Sequence, residues 1–156
     1  MNNIIEPDKN NIGGLWLGDV GAAENLKKLE VSNINCVLTI LSGFQNIMDC
    51  LVKKYKANSI QHKFIEAEDN TKTDITIYID ECLDYITNGL KSGNVLVHCF
   101  GGASRSASMV IAYLMKTQNL SFEESQAFVK AKRKRIGPSD HFSSLLKDWG
   151  QKSYQE

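Results

Sequence analysis

Asn94-Val95-Leu96-Val97-His98-Cys99-Phe100-Gly101-Gly102-Ala103-Ser104-Arg105-Ser106-Ala107-Ser108-Met109-Val110-Ile111-Ala112-Tyr113-Leu114-Met115 is the stretch that decides the fold. Asn94 to His98 is a short apolar run after a glycine and suits a strand buried on both faces. Arg105 to Gln118 is apolar almost all round, which predicts a central buried helix. A buried strand passing through a glycine pair into a buried helix is a building unit of α/β sheets, and the loop at the strand's end is where such sheets bind ligands. Gly101 and Gly102 let the backbone curl tightly and turn successive N–H groups inward, at the N-terminus of the next helix. A concave site for a phosphate-sized dianion is the expected result.

Outward from this unit the same alternation continues. Leu15 to Leu17 and Ile34 to Leu41 are apolar and β-branched enough for strands, with a short helix over Ala22 to Glu30 between them. Ile60 to Ile65 reads as a further strand. Phe44, Ile47, Met48, Leu51, Val52 and Tyr55 keep the spacing of one helix face. Ile75, Tyr78, Ile79, Cys82, Leu83, Ile86 and Leu90 do the same, with Asp74 placed to cap their helix. Ser121 and Glu124 form a capping box, and Pro138-Ser139 precede a last helix with Phe142, Leu145, Leu146 and Trp149 on one side. The pattern predicts an α/β fold, a central, mostly parallel twisted sheet flanked by helices, in one continuous domain over residues 1–156.

The composition agrees. With 42% hydrophobic and 23% charged residues, the chain is neither disordered, collagen-like nor coiled-coil. A chain of this size buries about 68 to 70% of its unfolded surface, so its core needs no disulfide or metal. Eighteen Lys and Arg balance eighteen Asp and Glu, so neither nucleic acid nor a membrane surface is an expected partner. The longest apolar run, Met109 to Met115, falls well short of the roughly 20 residues that span a bilayer. The N-terminus lacks a basic start with an apolar stretch, and the C-terminal Ser-Tyr-Gln-Glu has no prenylation cysteine. Cytosol, or else nucleus, is the expected compartment, and a monomer the expected state. Cys36, Cys50, Cys82 and Cys99 contain no C-x-x-C pair, and three of them lie in apolar segments where thiols act as small hydrophobes. No zinc, disulfide framework or cofactor is expected.

The loop's reactive residues specify the chemistry. The Cys99 sulfur would face N–H dipoles and the Arg105 guanidinium, surroundings that favour a thiolate nucleophile aimed at phosphorus. Arg105 can return to the loop's mouth and hold two phosphate oxygens, as a lysine could not. The candidate phosphate cradle is therefore Phe100, Gly101, Gly102, Ala103, Ser104 and Arg105. The lysine and longer spacing of a nucleotide P-loop are missing, so ATP or GTP binding is not expected. Taken singly, Cys99 is a buried strand-end thiol, the glycines a turn and Arg105 a solvated helix start. Six specified positions in register carry the chemical reading instead.

His98-Cys99-x-x-Gly102-x-Ser104-Arg105-Ser106 resembles the signature of the cysteine-dependent protein tyrosine phosphatases, in the dual-specificity branch. Leu15-Trp16-Leu17-Gly18, Met109 to Met115 and Ile136-Gly137-Pro138 are also similar to that branch, so the resemblance runs from residue 12 to 149. It is that of an atypical, stand-alone catalytic domain. It implies a phosphocysteine intermediate on Cys99 and metal-independent hydrolysis of phosphotyrosine and of phosphoserine or phosphothreonine in proteins. It also implies an upstream aspartate that protonates the leaving oxygen. Asp69 is at the matching position, with Glu68 and Asp74 competing on proximity and a solvated acidic loop the plain alternative for all three. Ser106 would hydrogen-bond the sulfur and help it leave, and His98 would order the loop. The rival readings are a non-catalytic phosphopeptide-binding module, which would lack a catalytic residue, and an RNA 5′-phosphatase or lipid phosphatase. The uncharged Phe100, Gly101 and Ala103 disfavour the last two.

Two departures stand out. Gly101 replaces a small side chain and should loosen the loop. Ser139 stands where the branch often has an asparagine that braces the loop, so that brace is in question. Lys130-Ala131-Lys132-Arg133-Lys134-Arg135 reads as a solvated helix end, alternatively as a basic rim centred on Lys134 or Arg135, or as a nuclear-import patch. No long insertion or aromatic residue lies between Ile65 and Ile75, so a shallow pocket is expected.

Overall fold

A computed structural model of the chain describes residues 1–9 and 13–153. Ile12, where the family resemblance begins, and the terminal Tyr154-Gln155-Glu156 lie outside the described residues. Five strands form one sheet: β1 (Asn2–Ile5), β2 (Leu15–Gly18), β3 (Ile34–Leu41), β4 (Gln61–Glu66) and β5 (Asn94–His98). Their order is β1-β2-β5-β3-β4, with β1 antiparallel to β2 and every other pairing parallel. The helices are α1 (Val20–Glu24), α2 (Leu26–Val31), α3 (Gln45–Ala57), α4 (Ile79–Leu90), α5 (Arg105–Gln118), α6 (Phe122–Lys132) and α7 (Asp140–Ser153).

Alternation along the strands feeds two cores. Leu38, Ile40, Val95 and Val97 pack on one face with Ile86 of α4, Met109, Ile111 and Leu114 of α5, and Phe142 of α7. Val37, Leu41 and Leu96 pack on the other with Leu29 of α2 and Leu51 and Tyr55 of α3. Both faces of β5 are therefore covered, which is why its sequence is an unbroken apolar run. As its composition predicts, α5 is buried from Ser106 through Met115. The register sets Gly18 and Thr39 beside His98, and Leu41 beside Glu66. The C-terminal ends of four parallel strands thus meet at one sheet edge, and the loops that leave them share it.

The structure departs from the sequence reading in three places. The antiparallel β1 has only Ile4 buried, so its four residues give no apolar pattern. The helix over Ala22 to Glu30 is two helices. Asn25 leaves the helical region with φ −90° and ψ 88°, ends α1, and accepts the Lys28 N–H to cap α2. An asparagine competes with the helical backbone in this way because its side chain offers the amides another acceptor. Asp74 caps a 3-10 turn, Ile75–Tyr78, rather than α4 itself. No helix among the described residues is long and apolar enough to cross a membrane.

Candidate active site

Cys99 follows β5 directly and is 2% exposed. The Gly102 N–H donates to its sulfur at 3.2 Å, and the buried Ser106 hydroxyl lies 3.1 Å from it. Gly102 makes this approach with φ +64°. A Cβ there would fall 2.5 Å from the Gly18 carbonyl oxygen and 2.6 Å from Arg133 Nη2, so only glycine fits. Gly101 is different, because a Cβ at that position meets nothing within 4 Å and its φ is not positive. The curl expected of both glycines rests on Gly102 alone.

Oxygens around the loop are tied outward. The Phe100 carbonyl accepts from Val20 N–H at 3.0 Å, and the Ala103 carbonyl from Gly137 N–H at 2.8 Å. The Gly102 carbonyl accepts from Arg133 Nε at 3.0 Å, and Ser104 Oγ from Ser139 N–H at 3.1 Å. In a trans peptide the C=O and the next N–H point in opposite directions. Turning the carbonyls of Phe100, Gly102 and Ala103 out therefore turns the amides of Gly101, Ala103 and Ser104 toward the inside of the loop, while the Gly102 amide is the one that meets the sulfur. Amides gathered on the inside of a loop in this way form a concave surface suited to an anion.

The brace in question at Ser139 is supplied by its backbone. Its N–H holds Ser104, while its hydroxyl accepts the Phe142 N–H at 3.1 Å and starts α7. Arg133 corrects the reading of the basic run. Lys130, Lys132, Lys134 and Arg135 are exposed, but Arg133 is 4% exposed. Burial lowers its pKa, with Arg135 acting in the same direction. Its Nη1 also donates to Asn2 Oδ1 at 2.9 Å, joining β1 to the loop. The signal was present, since Arg133 continues the buried stripe of Phe122, Ser125 and Val129 at helical spacing. The exposed Arg135 pairs with the half-buried Asp19 at 3.6 Å.

His98 lies behind the loop, and its hydrogen bonds determine its tautomer. Its Nδ1 is 3.0 Å from the Cys99 carbonyl oxygen, which can only accept, so Nδ1 carries the proton. Nε2 of the neutral ring then accepts from the Thr39 hydroxyl at 2.6 Å. Having donated its one proton, Thr39 Oγ1 accepts from His62 Nε2 at 2.7 Å. Burial pulls the pKa of His98 and of His62 down to about 4, so both rings are neutral near pH 7. Thr39 and His62 were not singled out in the sequence, where nothing links residues on three different strands.

Arg105 reaches across the sheet edge. Its Nη1 donates to the Ala67 carbonyl at 3.1 Å, and its buried Nε has no hydrogen-bond partner among the described residues. A buried guanidinium donor is a strong hydrogen-bond donor to an anion. Ala67 opens the loop that carries Asp69. Of the three acidic candidates, Glu68 accepts from the Asn70 amide and Asp74 from Thr76, while the exposed Asp69 carboxyl is engaged by no described residue. The loop itself is ordered. Asn70 Oδ1 accepts from Lys72 N–H and the Thr73 hydroxyl at 3.0 Å, and His141 Nε2 donates to the Thr73 carbonyl at 2.8 Å.

Comparison with known proteins gives a consistent result. The profile of a family described as "Dual specificity phosphatase, catalytic domain" matches residues 15–152. Dual specificity protein phosphatase 1B of Arabidopsis thaliana is 38% identical over 143 residues, 91% of this chain and 80% of that protein. Dual specificity protein phosphatase MPK-4 of Drosophila melanogaster is 39% identical over 137 residues, 86% of this chain but 34% of that longer protein. Among solved structures, DUSP15 superposes with a TM-score of 0.79 at 29% identity, covering 90% of this chain and 85% of that one. The human tyrosine phosphatase-like serine/threonine/tyrosine-interacting protein superposes with a TM-score of 0.79 at 25% identity, over 100% of this chain and 98% of that one.

Proposed function

This chain belongs to the dual-specificity protein phosphatase family, and we propose that it removes phosphate from phosphotyrosine and from phosphoserine or phosphothreonine in proteins, through a phosphocysteine on Cys99 and without a metal. The supporting observation is the Cys99 sulfur, flanked by the Gly102 amide and the Ser106 hydroxyl inside a loop whose carbonyls are held outward.

The phosphate dianion binds in the loop, with its oxygens on the inward amides and on Arg105. The Cys99 thiolate attacks phosphorus, the S–P bond forms as the bond to the leaving oxygen breaks, and Asp69 gives that oxygen its proton. Amides and guanidinium stabilise the trigonal-bipyramidal phosphoryl group where its charge is greatest. Water then attacks phosphorus, Asp69 accepts its proton, and the S–P bond breaks. Ser106 donates its hydrogen bond to the departing sulfur. Arg105 links the two halves of this machinery, because its hydrogen bond to Ala67 ties the cysteine loop to the aspartate loop.

Turnover of an aryl phosphate with EDTA present, compared with the Cys99→Ser variant, tests the reading. We expect the wild type to retain full activity in chelator. Cys99→Ser should lose turnover but keep phosphate affinity, since its hydroxyl fits the space and does not ionise near neutral pH. A phosphopeptide-binding module would bind and never turn over. The presence of Cys99, Arg105 and Asp69 together argues against that alternative.

A further inference from the structure

The loop after β3 has no part in the chemistry above, yet it holds a costly conformation. Gly43 and Phe44 are both left-handed, with φ +67° and +54°. For a bulky residue that state is sterically strained. Phe44 precedes α3 without capping it through its side chain, and 50% of it is exposed. Its ring stacks on Phe100, with centroids 4.9 Å apart and planes 17° from parallel. Phe100 follows the nucleophile directly and is itself 44% exposed. Strain and exposed aromatic surface, both beside a reactive group, suggest a function at the site rather than in the core.

Sheet order gives the stack its position. β3 lies between β5, which ends at Cys99, and β4, whose loop carries Asp69. A phosphoester with phosphorus over Cys99 and its leaving oxygen toward Asp69 therefore carries its organic group across the end of β3. The Phe44–Phe100 stack stands there, and the variable loop positions Phe100, Gly101 and Ala103 bring no charge.

We propose that Phe44, backed by Phe100, is a specificity wall that takes the phenyl ring of phosphotyrosine. This rests on the phosphatase reading above. A ring against a ring adds attraction beyond area burial. Phosphoserine and phosphothreonine have no ring to offer, so they are turned over without this contribution and phosphotyrosine is favoured.

Matched peptides bearing phosphotyrosine or phosphothreonine test the wall. Phe44→Ala should lower kcat/KM for the phosphotyrosine peptide about threefold to tenfold and change the phosphothreonine peptide less than twofold. Phe44→Tyr, which keeps the ring, should restore the preference, and Phe44→Leu, which keeps bulk at the start of α3, should not. Equal losses on both peptides, or no loss on phosphotyrosine, overturn the proposal. The same substitutions in a Cys99→Ser background, titrated with each peptide and with inorganic phosphate, read the wall without turnover. Affinity should fall for the phosphotyrosine peptide alone, and a Phe44→Ala effect shared by inorganic phosphate contradicts the wall. If the wild type hydrolysed neither peptide, the phosphatase reading would fail, and this binding contrast would still decide for or against the wall.

Discussion

Gly102 and Gly101 are adjacent and identical in sequence, but the backbone asks different things of them. Gly102→Ala would drive a Cβ into the Gly18 carbonyl and push the loop amide off the Cys99 sulfur. We expect it to abolish turnover of an aryl phosphate. Gly101→Ala should keep activity within about twofold and raise stability by about 0.4–1 kcal/mol in denaturant titration, because it mainly restricts the unfolded chain. Equal behaviour of the two variants would contradict the loop geometry. Asp69→Asn should slow reaction by about 10² to 10⁴ with poor leaving groups and far less with acidic phenols. A uniform loss would shift suspicion to Glu68 or Asp74. At this scale the sequence was most legible where residues act through neighbours in the chain, as from His98 to Ser106. Thr39 and His62 reach His98 only through the sheet register, which no local pattern encodes.

The elements follow the same logic. β2, β3 and β5 were readable because strands buried on both faces are continuously apolar, whereas β4, at the far edge of the sheet with only Ile65 buried, has no such run. β1 was not readable, since an edge strand beginning Asn2-Asn3 looks like any polar terminus. The basic stretch after α6 was half legible. Its charges promised solvent, while its spacing placed Arg133 on the buried face. Arg133 thereby connects α6, β1 and the loop that follows β5 through Asn2 and Gly102. Arg133→Ala should leave the Gly102 carbonyl without this donor, at about 1–3 kcal/mol for a buried group left unpaired. Because that carbonyl orients the next amide, kcat/KM for an aryl phosphate should fall with stability. Lys134→Ala, on the exposed side of the same run, should change neither. Equal effects of the two substitutions, in melts and in turnover, would return Arg133 to the solvated surface.

Across the whole molecule, α/β alternation was enough to predict a mostly parallel sheet between helices, because each strand must be covered on both faces. The charge balance of the chain does not reveal its pH response, which follows from burial. His62 and His98 have their folded pKa values lowered to about 4, whereas the unfolded chain titrates them near 6.5. Below pH 6.5 the unfolded state therefore binds more protons, so this stability is complete above about 6.5 and is lost as pH falls toward 4. The fully buried His98 should approach a slope of about 1.4 kcal/mol per pH unit, with His62, which is partly exposed, contributing less. Urea titrations at pH 7.5, 6 and 5 check this, as numbers on the order of those two pKa values dictate. His62→Gln, whose amide can still donate to Thr39, should flatten the slope, and a pH-independent wild type would contradict the buried neutral chain.

The proposed reaction turns on a covalent bond between Cys99 and phosphorus. Its most direct measurement is the intact mass of the Asp69→Asn enzyme, quenched during turnover of an aryl phosphate whose phenol is acidic. That leaving group departs without a proton, so the first step should survive while the hydrolysis proposed to use Asp69 as its base should slow. A single added phosphoryl group is expected, mapped to Cys99 by peptide analysis and absent when Cys99 is also replaced by serine. Steady phenol release with no phosphoryl group on Cys99 would contradict it.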